Sequence, residues 1–276
     1  MIGIISAFGA AISWTYACFI WRSQTEKYKS IDINLVKNLI AFLIFLPAFF
    51  NFSVFTDSKS ILTLLLSGVI GIGLGDTFYI KSLKKIGTRR TLSIETLSPL
   101  LAALSGEIFI NENLEFRSYL GIVIISISLF ILLREKTNLL VNDLAIVTKE
   151  NYIEKYLFSF LSVLCAVSGG LLSRIVFLES NLSPLETTEI RLLGSILFLI
   201  TIKRFRVNLF LNKLDNNNQK RFLLSIFLGT NLGILLQQIV FKTLPLGIGW
   251  TLLSTSPIVS LFFANKEEEQ ITKSVI

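Results

Sequence analysis

Four ionisable residues stand inside stretches that are otherwise apolar. Glu95 lies one helical turn before Ser98-Pro99, and Glu107 lies nearer the end of the same stretch. Asp76 follows the glycine run GIGLG, and Arg191 sits in SPLETTEIRLLG behind Glu186 and Glu189. A charge in an apolar stretch is costly and is kept next to a cavity or a partner. Glu95 therefore reads either as a site for a proton or a substrate ammonium group, or as half of a structural pair with Lys81 or Arg174. Arg191 reads either as part of an ion cluster with Glu186 and Glu189 where a helix begins, or as a gate for an anionic substrate. Glu107 is close enough to the end of its stretch to be solvated at an interface.

Two prolines extend this chemistry. Pro99 and Pro257 each follow a serine and remove the hydrogen bond to the carbonyl four residues earlier, at Glu95 and Leu253. Freed carbonyls beside Ser98, Ser254, Thr255 and Ser256 suit a polar cavity, and a packing kink explains the prolines equally well. Trp14, Tyr79, Gln237 and Trp250 carry rings and an amide that can line a pathway. Trp and Tyr also favour membrane interfaces for their own sake.

Other chemistries are excluded by composition. The 276 residues contain no histidine, so no Ser-His-Asp triad and no His-based metal set can be assembled. Cys18 and Cys165 both lie in apolar runs and suit packing rather than a disulfide framework. No catalytic set, cofactor motif or metal site is expected. The chain is not read as an enzyme or a nucleic-acid binder, because its net charge of +7 resides mostly in loops. Gly71-Ile-Gly-Leu-Gly75 superficially resembles a phosphate cradle. It lacks the strand and helix that would flank one, and close helix packing explains it better.

The elements that must position these residues are membrane helices. Hydrophobic residues reach 52%, charged residues only 16%, and mean hydropathy is +0.68. An average soluble domain carries about 25% charged residues. Spanning helices need about 20 apolar residues. They are expected at 2–21, 38–56 with Pro47 as a kink, 60–80, 91–110, 118–133, 157–178, 185–202, 222–241 and 246–265. The first has no basic flank before it and no cleavage site after it, so it reads as a retained helix.

The chain carries one stretch twice. Residues 71–104 align with 229–262 at an offset of 158 without a gap. Gly71, Gly75, Lys84, Ser98 and Pro99 fall on Gly229, Gly233, Lys242, Ser256 and Pro257. A first repeat of five helices is assigned to 1–135, a polar cytoplasmic linker to 136–156, and a second repeat of four helices to 157–276. The second repeat lacks a partner for 121–133, and Ser274-Val275-Ile276 resembles the first residues of a tenth helix. Alternate loops hold 18 Lys and Arg, with Lys266 and Lys273 in the tail, while the opposite side holds Lys59, Arg117 and Lys242. That bias places the basic loops in the cytoplasm and the N-terminus outside. Five helices per unit is an odd number, so the second unit enters from the opposite side. The fold class expected is all-α, a polytopic membrane protein of about nine helices in two inverted repeats.

The paired units, the Ser-Pro within each fourth helix, and Glu112 at the turn into the fifth resemble the EamA-type branch of the drug/metabolite transporter superfamily. The stretch SIETLSPLLAALSGEIFINENLEFRSYLGIVIISISLFILL carries the likeness. Arg191 stands where that family often has an arginine opening the second helix of a unit. Asn38 at the corresponding place in the first unit departs from the pattern, as does Gln270 thirteen residues after Pro257, with Glu267, Glu268 and Glu269 close by.

The resemblance implies a gradient-driven permease for a small metabolite or drug-like solute, multi-pass in the cell membrane, working by alternating access. Its partners are then the solute and the lipid bilayer, and a homodimer stays open. The pathway residues would be Glu95, Ser98, Pro99, Trp14, Tyr79, Arg191, Gln237, Trp250, Ser254 and Pro257. A truncated, inactive transporter or a non-transporting membrane subunit is the alternative.

Overall fold

The computed structural model describes residues 1–49, 58–141 and 152–260, and among these every regular element is helical. Side chains are sorted as lipid demands. On α1 (Ile2–Gln24), the large residues Ile2, Ile5, Phe8 and Ile12 face out, while Gly3, Ser6, Ala7, Ala10 and Ala11 are buried. Small residues let helix backbones approach, and large aliphatic ones lose nothing by facing lipid tails. Asn34, Lys37, Asn38, Glu189, Asn231 and Gln238 are buried as well. A water-soluble helical protein shows the reverse distribution.

Six helical runs are long and apolar enough to cross a bilayer: Ile2–Gln24, Ser30–Pro47, Ser58–Thr88, Arg90–Ile110, Tyr156–Glu179 and Asn216–Thr243. The shorter apolar run Phe116–Ser128 opens α6 (Phe116–Val141). Helix α8 (Pro184–Ile202) has the length to span but holds Glu186, Glu189 and Arg191 in its first half. The protein is an all-helical, polytopic membrane protein.

Several expected boundaries move. Helix α2 (Ser30–Phe49) begins eight residues before Asn38, because its polar first turns are buried in the protein. The expected second span continues to 56, and residues 50–57 lie outside the described residues. The third span is a composite of α3 (Ser58–Ser67), a π-helical segment Gly68–Gly75, and α4 (Asp76–Glu95). It reaches past Lys81–Ile86, which were expected to be loop, and the chain reverses at Gly87, where φ is +83°. That left-handed backbone suits glycine alone without strain.

The fourth span is broken. Helix α4 stops at Glu95, and α5 (Ser98–Ile110) starts afresh with Pro99 in its first turn. Helix α7 (Tyr152–Glu179) precedes α8, whose start is fixed by a capping box between Ser183 and Glu186. The basic segment expected to be loop up to Arg221 contains a short 3₁₀ turn at Phe210–Lys213. It also contains the start of α9 (Asn216–Ser225), capped by Asp215. Phe210 is fully buried and stacks on Tyr28 at 3.9 Å.

After α9 come a second π-helical segment, Ile226–Leu232, then α10 (Gly233–Thr243) and α11 (Leu246–Leu253). Helix α6 runs eight residues beyond the expected end at 133. Part of the expected linker, 142–151, lies outside the described residues, as do 261–276 with Glu267, Glu268, Glu269 and Gln270.

The duplication is visible in local structure. The offset of 158 carries Gly68, the start of the first π segment, onto Ile226, the start of the second. It also carries Glu95, where α4 stops, onto Leu253, where α11 stops. Packing between the halves is reciprocal: α1 lies on α10 as α7 lies on α4, α2 faces α8, and α5 faces α11.

Candidate functional site

The first π segment packs closely against α7 and α8. Wider π turns leave backbone carbonyls poorly satisfied, and such turns concentrate at functional sites. A methyl group on Gly68 would overlap the Arg191 carbonyl of α8, and one on Gly169 would lie 2.7 Å from the Gly71 Cα. The Asn34 amide of α2 donates to the carbonyls of Ile72 at 2.9 Å and Gly73 at 3.1 Å, and to the Thr77 hydroxyl at 2.8 Å. The second π segment is tied similarly, with the Asn231 amide donating to the Ala41 carbonyl of α2 at 2.9 Å.

Charges gather beside the first π segment. The fully buried Lys37 Nζ donates to Asp76 Oδ2 at 2.6 Å and to Asn38 Oδ1 at 2.9 Å. The Asn38 amide donates to Asn34 Oδ1 and, across to the second half, to Ser195 Oγ at 2.8 Å. Lys37 is the eighth residue of α2, and Arg191 is the eighth of α8. Counted from the helix starts, Lys37 stands in α2 where Arg191 stands in α8, one residue before Asn38. Asp76 lies within electrostatic reach of Arg191 as well.

A cavity of about 90 Å³ opens against this cluster. Its wall includes Trp14, Glu95, Ser98, Arg191, Gln237, Trp250 and Ser254, all singled out by sequence, together with Asp76, Ser256 and Ile234. Residues from α1, the first π segment, α4, α5, α7, α8, α10 and α11 thus meet in one space. Three sequence candidates stand behind it. Tyr79 is buried, with its ring 5.6 Å from that of Trp14 and its hydroxyl 3.2 Å from Cys18 Sγ. Pro99 and Pro257 are buried beside the helix breaks. The Leu253 carbonyl, freed in the second copy, accepts from the Ser256 hydroxyl at 3.1 Å.

Pairings anticipated for Glu95 and Arg191 are absent among the described residues. Lys81 sits over the Phe158 ring at 3.7 Å, and Arg174 Nε bonds Glu112 Oε1 at 2.6 Å, so neither holds Glu95. The cluster of Glu186, Glu189 and Arg191 does not form either. Glu186 caps α8, both Glu189 oxygens are buried without a partner, and Arg191 Nε and Nη1 meet no acceptor. Arg191 is only 2% exposed. Glu107 is exposed and accepts from the Tyr119 hydroxyl, away from the cavity.

Glu112 acts at one end of α5. Its Oε2 accepts from the Leu246 N–H at 2.7 Å, where α11 begins, while its Oε1 holds Arg174 of α7. One carboxylate from the first half therefore pins two helices of the second.

The model of the EamA-like transporter family matches residues 1–134 and 154–274. A protein of Archaeoglobus fulgidus described as an uncharacterized transporter is 23% identical over 134 residues, 48% of this chain and 48% of that protein. The aligned part thus spans about half the length of that relative. A known crystal structure superposes with a TM-score of 0.69 at 15% identity, covering 96% of this chain and 88% of the other. At that identity the likeness speaks to the fold alone.

Proposed function

The chain belongs to the EamA-like transporter family, and from that premise we propose that it carries a small organic solute across the cell membrane by alternating access. One observation carries this reading: the polar and ionisable residues of both halves converge on a single cavity. Secondary transporters built from inverted repeats place their substrate site in such an interface. The moving parts are then the units at 1–135 and 157–276, joined through 136–156. The basic loops face the cytoplasm.

Glu95 is the coupling residue in this proposal. It lines the cavity, and none of the described side chains pairs with it, so it is free to exchange a proton with the pathway. The test is uptake into proteoliposomes driven by an imposed pH gradient, using a pooled set of labelled metabolites. Gradient-driven accumulation that Glu95→Gln abolishes supports the assignment. Accumulation unchanged by Glu95→Gln removes Glu95 as the coupling site, and no accumulation of any solute under any gradient defeats transport. A cysteine placed at Asn216 is expected to react only with reagents that reach the cytoplasmic face.

A further inference from the structure

We propose that Arg191 is the docking point for a singly charged carboxylate on the solute, with the solute's apolar body held against the rings of Trp14 and Trp250. The assignment rests on the transport reading for the passage of the solute, but not for its binding. Arg191 is nine-tenths buried and more, yet it forms part of the cavity wall. It makes no hydrogen bond or ion pair among the described residues, and its Nε and Nη1 are buried without acceptors. An arginine keeps its charge in proteins, and a buried charge that no partner bonds is unfavourable; Asp76, within electrostatic reach, is itself bonded to Lys37. A bound anion resolves that directly.

The repeat explains why the vacancy is local to the second half. In the first half, the cation at the eighth position of its helix is neutralised by Asp76. The offset of 158 puts Ile234 where Asp76 stands, and Ile234 also lines the cavity. Counted from the helix starts, α8 has a cation where α2 has Lys37, and the residue aligned with Asp76 in the repeated stretch is apolar. Nearby carboxylates are otherwise disposed. Asp76 is held by Lys37 at 2.6 Å, Glu186 caps α8, and Glu189 leaves both oxygens unpaired rather than meeting Arg191.

The donor geometry selects the ligand. Either edge of the guanidinium, Nε with Nη2 or Nη1 with Nη2, is a two-donor fork that fits a carboxylate. Arg191 brings one positive charge that no bonded partner takes up, so a monoanion is matched and the second charge of a phosphate dianion would stay unmatched. The two indole rings supply apolar wall on the same cavity.

Binding is measurable without knowing the natural solute. The chain has three tryptophans, and two of them line the cavity, so intrinsic fluorescence reports occupancy. The protein in lipid nanodiscs is titrated with benzoate, benzamide, phenyl phosphate and chloride. Saturable quenching by benzoate is expected, about tenfold or more stronger than by benzamide or phenyl phosphate. Arg191→Gln is expected to weaken benzoate by a similar factor, and Arg191→Lys by less. Should Arg191→Gln fail to fold, the preference of the native protein for benzoate over benzamide, together with Arg191→Lys, decides the matter.

Absence of saturable benzoate binding, equal binding of benzamide, or benzoate binding unaffected by Arg191→Gln each overturns the proposal. Chloride that stabilises the protein through Arg191 and fully displaces benzoate would make the site one for an inorganic anion, and overturns the carboxylate assignment. Arg191-dependent binding of benzoate with no flux of any solute in proteoliposomes leaves the anion site standing and defeats transport. Flux of a neutral solute with no anion binding does the opposite.

Discussion

Lys37 and Arg191 hold the same place in α2 and α8, eight residues from each start, yet only Lys37 has a carboxylate against it. The same position along two helices thus has different electrostatics. Removing one member of a buried pair strands the other, at a cost of about 3–5 kcal/mol. Asp76→Asn is therefore expected to lower stability by that order. Asp76→Leu combined with Lys37→Met is expected to recover most of it, because an apolar pair of similar volume carries no desolvation penalty. Unfolding in mixed micelles by denaturing detergent, run as a double-mutant cycle, measures both.

Glu112 is expected to matter out of proportion to its place in a turn. Truncation to Ala leaves Arg174 Nε and the Leu246 N–H without their acceptor, both in half-closed surroundings. A loss of about 3 kcal/mol is expected for Glu112→Ala, with a smaller loss for Glu112→Gln, whose carbonyl oxygen still accepts one bond. Exchange of the Leu246 amide with deuterium should rise in both variants, and more in the first.

Close approach at the first π segment gives a third expectation. A methyl on Gly68 collides with backbone of α8, which cannot rotate away as a side chain would. Gly68→Ala is expected to cost about 1–3 kcal/mol through overpacking. Gly121→Ala in α6 meets nothing within 4 Å and should be neutral or slightly stabilising. Melting temperatures of the two variants, side by side, test the difference.

The cap of α9 should make its first turn sensitive to acid. The Asn218 side-chain amide, and after it the Asn218 backbone N–H, hold the Asp215 carboxyl below its ordinary range. With the folded value below the unfolded one, the stabilisation is present above the ordinary aspartate range. It is lost as pH falls through the lowered folded value. Hydrogen exchange at 216–219 should therefore accelerate at low pH in the native protein. In Asp215→Ala it should be fast throughout and lose that pH dependence.

Span positions were legible in the apolar runs, and the duplicated layout in the Gly and Ser-Pro spacing. Helix starts were less so. Asp32, Asn34 and Lys37 made the first turns of α2 look like loop, because sequence alone does not tell a polar face turned to water from one turned to Asp76 and the Ile72 carbonyl. Asp215 was likewise hidden inside DNNN.

A usable signal for Lys37 did exist. Lys37 stands next to the expected start of the second span at 38, and Arg174 and Arg191 stand inside expected spans; all three prove to be buried or nearly so. Glu95, Arg191 and the two tryptophans were legible as cavity candidates because polar or bulky groups in small-residue helices need somewhere to point. The missing partner of Arg191 was not, since it depends on where Glu186 and Glu189 turn, which their spacing does not fix.

The π segments have an effect on phase. An α-helix advances about 100° per residue, so one additional residue accommodated in a wider turn rotates everything after it by about that angle. Asp76 meets Lys37, and Gly233 and Gln237 meet the cavity, only in the angular setting that follows such a turn. Were the segment at Gly68–Gly75 to tighten to α geometry, Asp76 would swing about a quarter of the way round its axis and release Lys37. Each half thus carries a built-in dial, set by one residue's worth of winding, that couples the twist of a helix to which charges see one another.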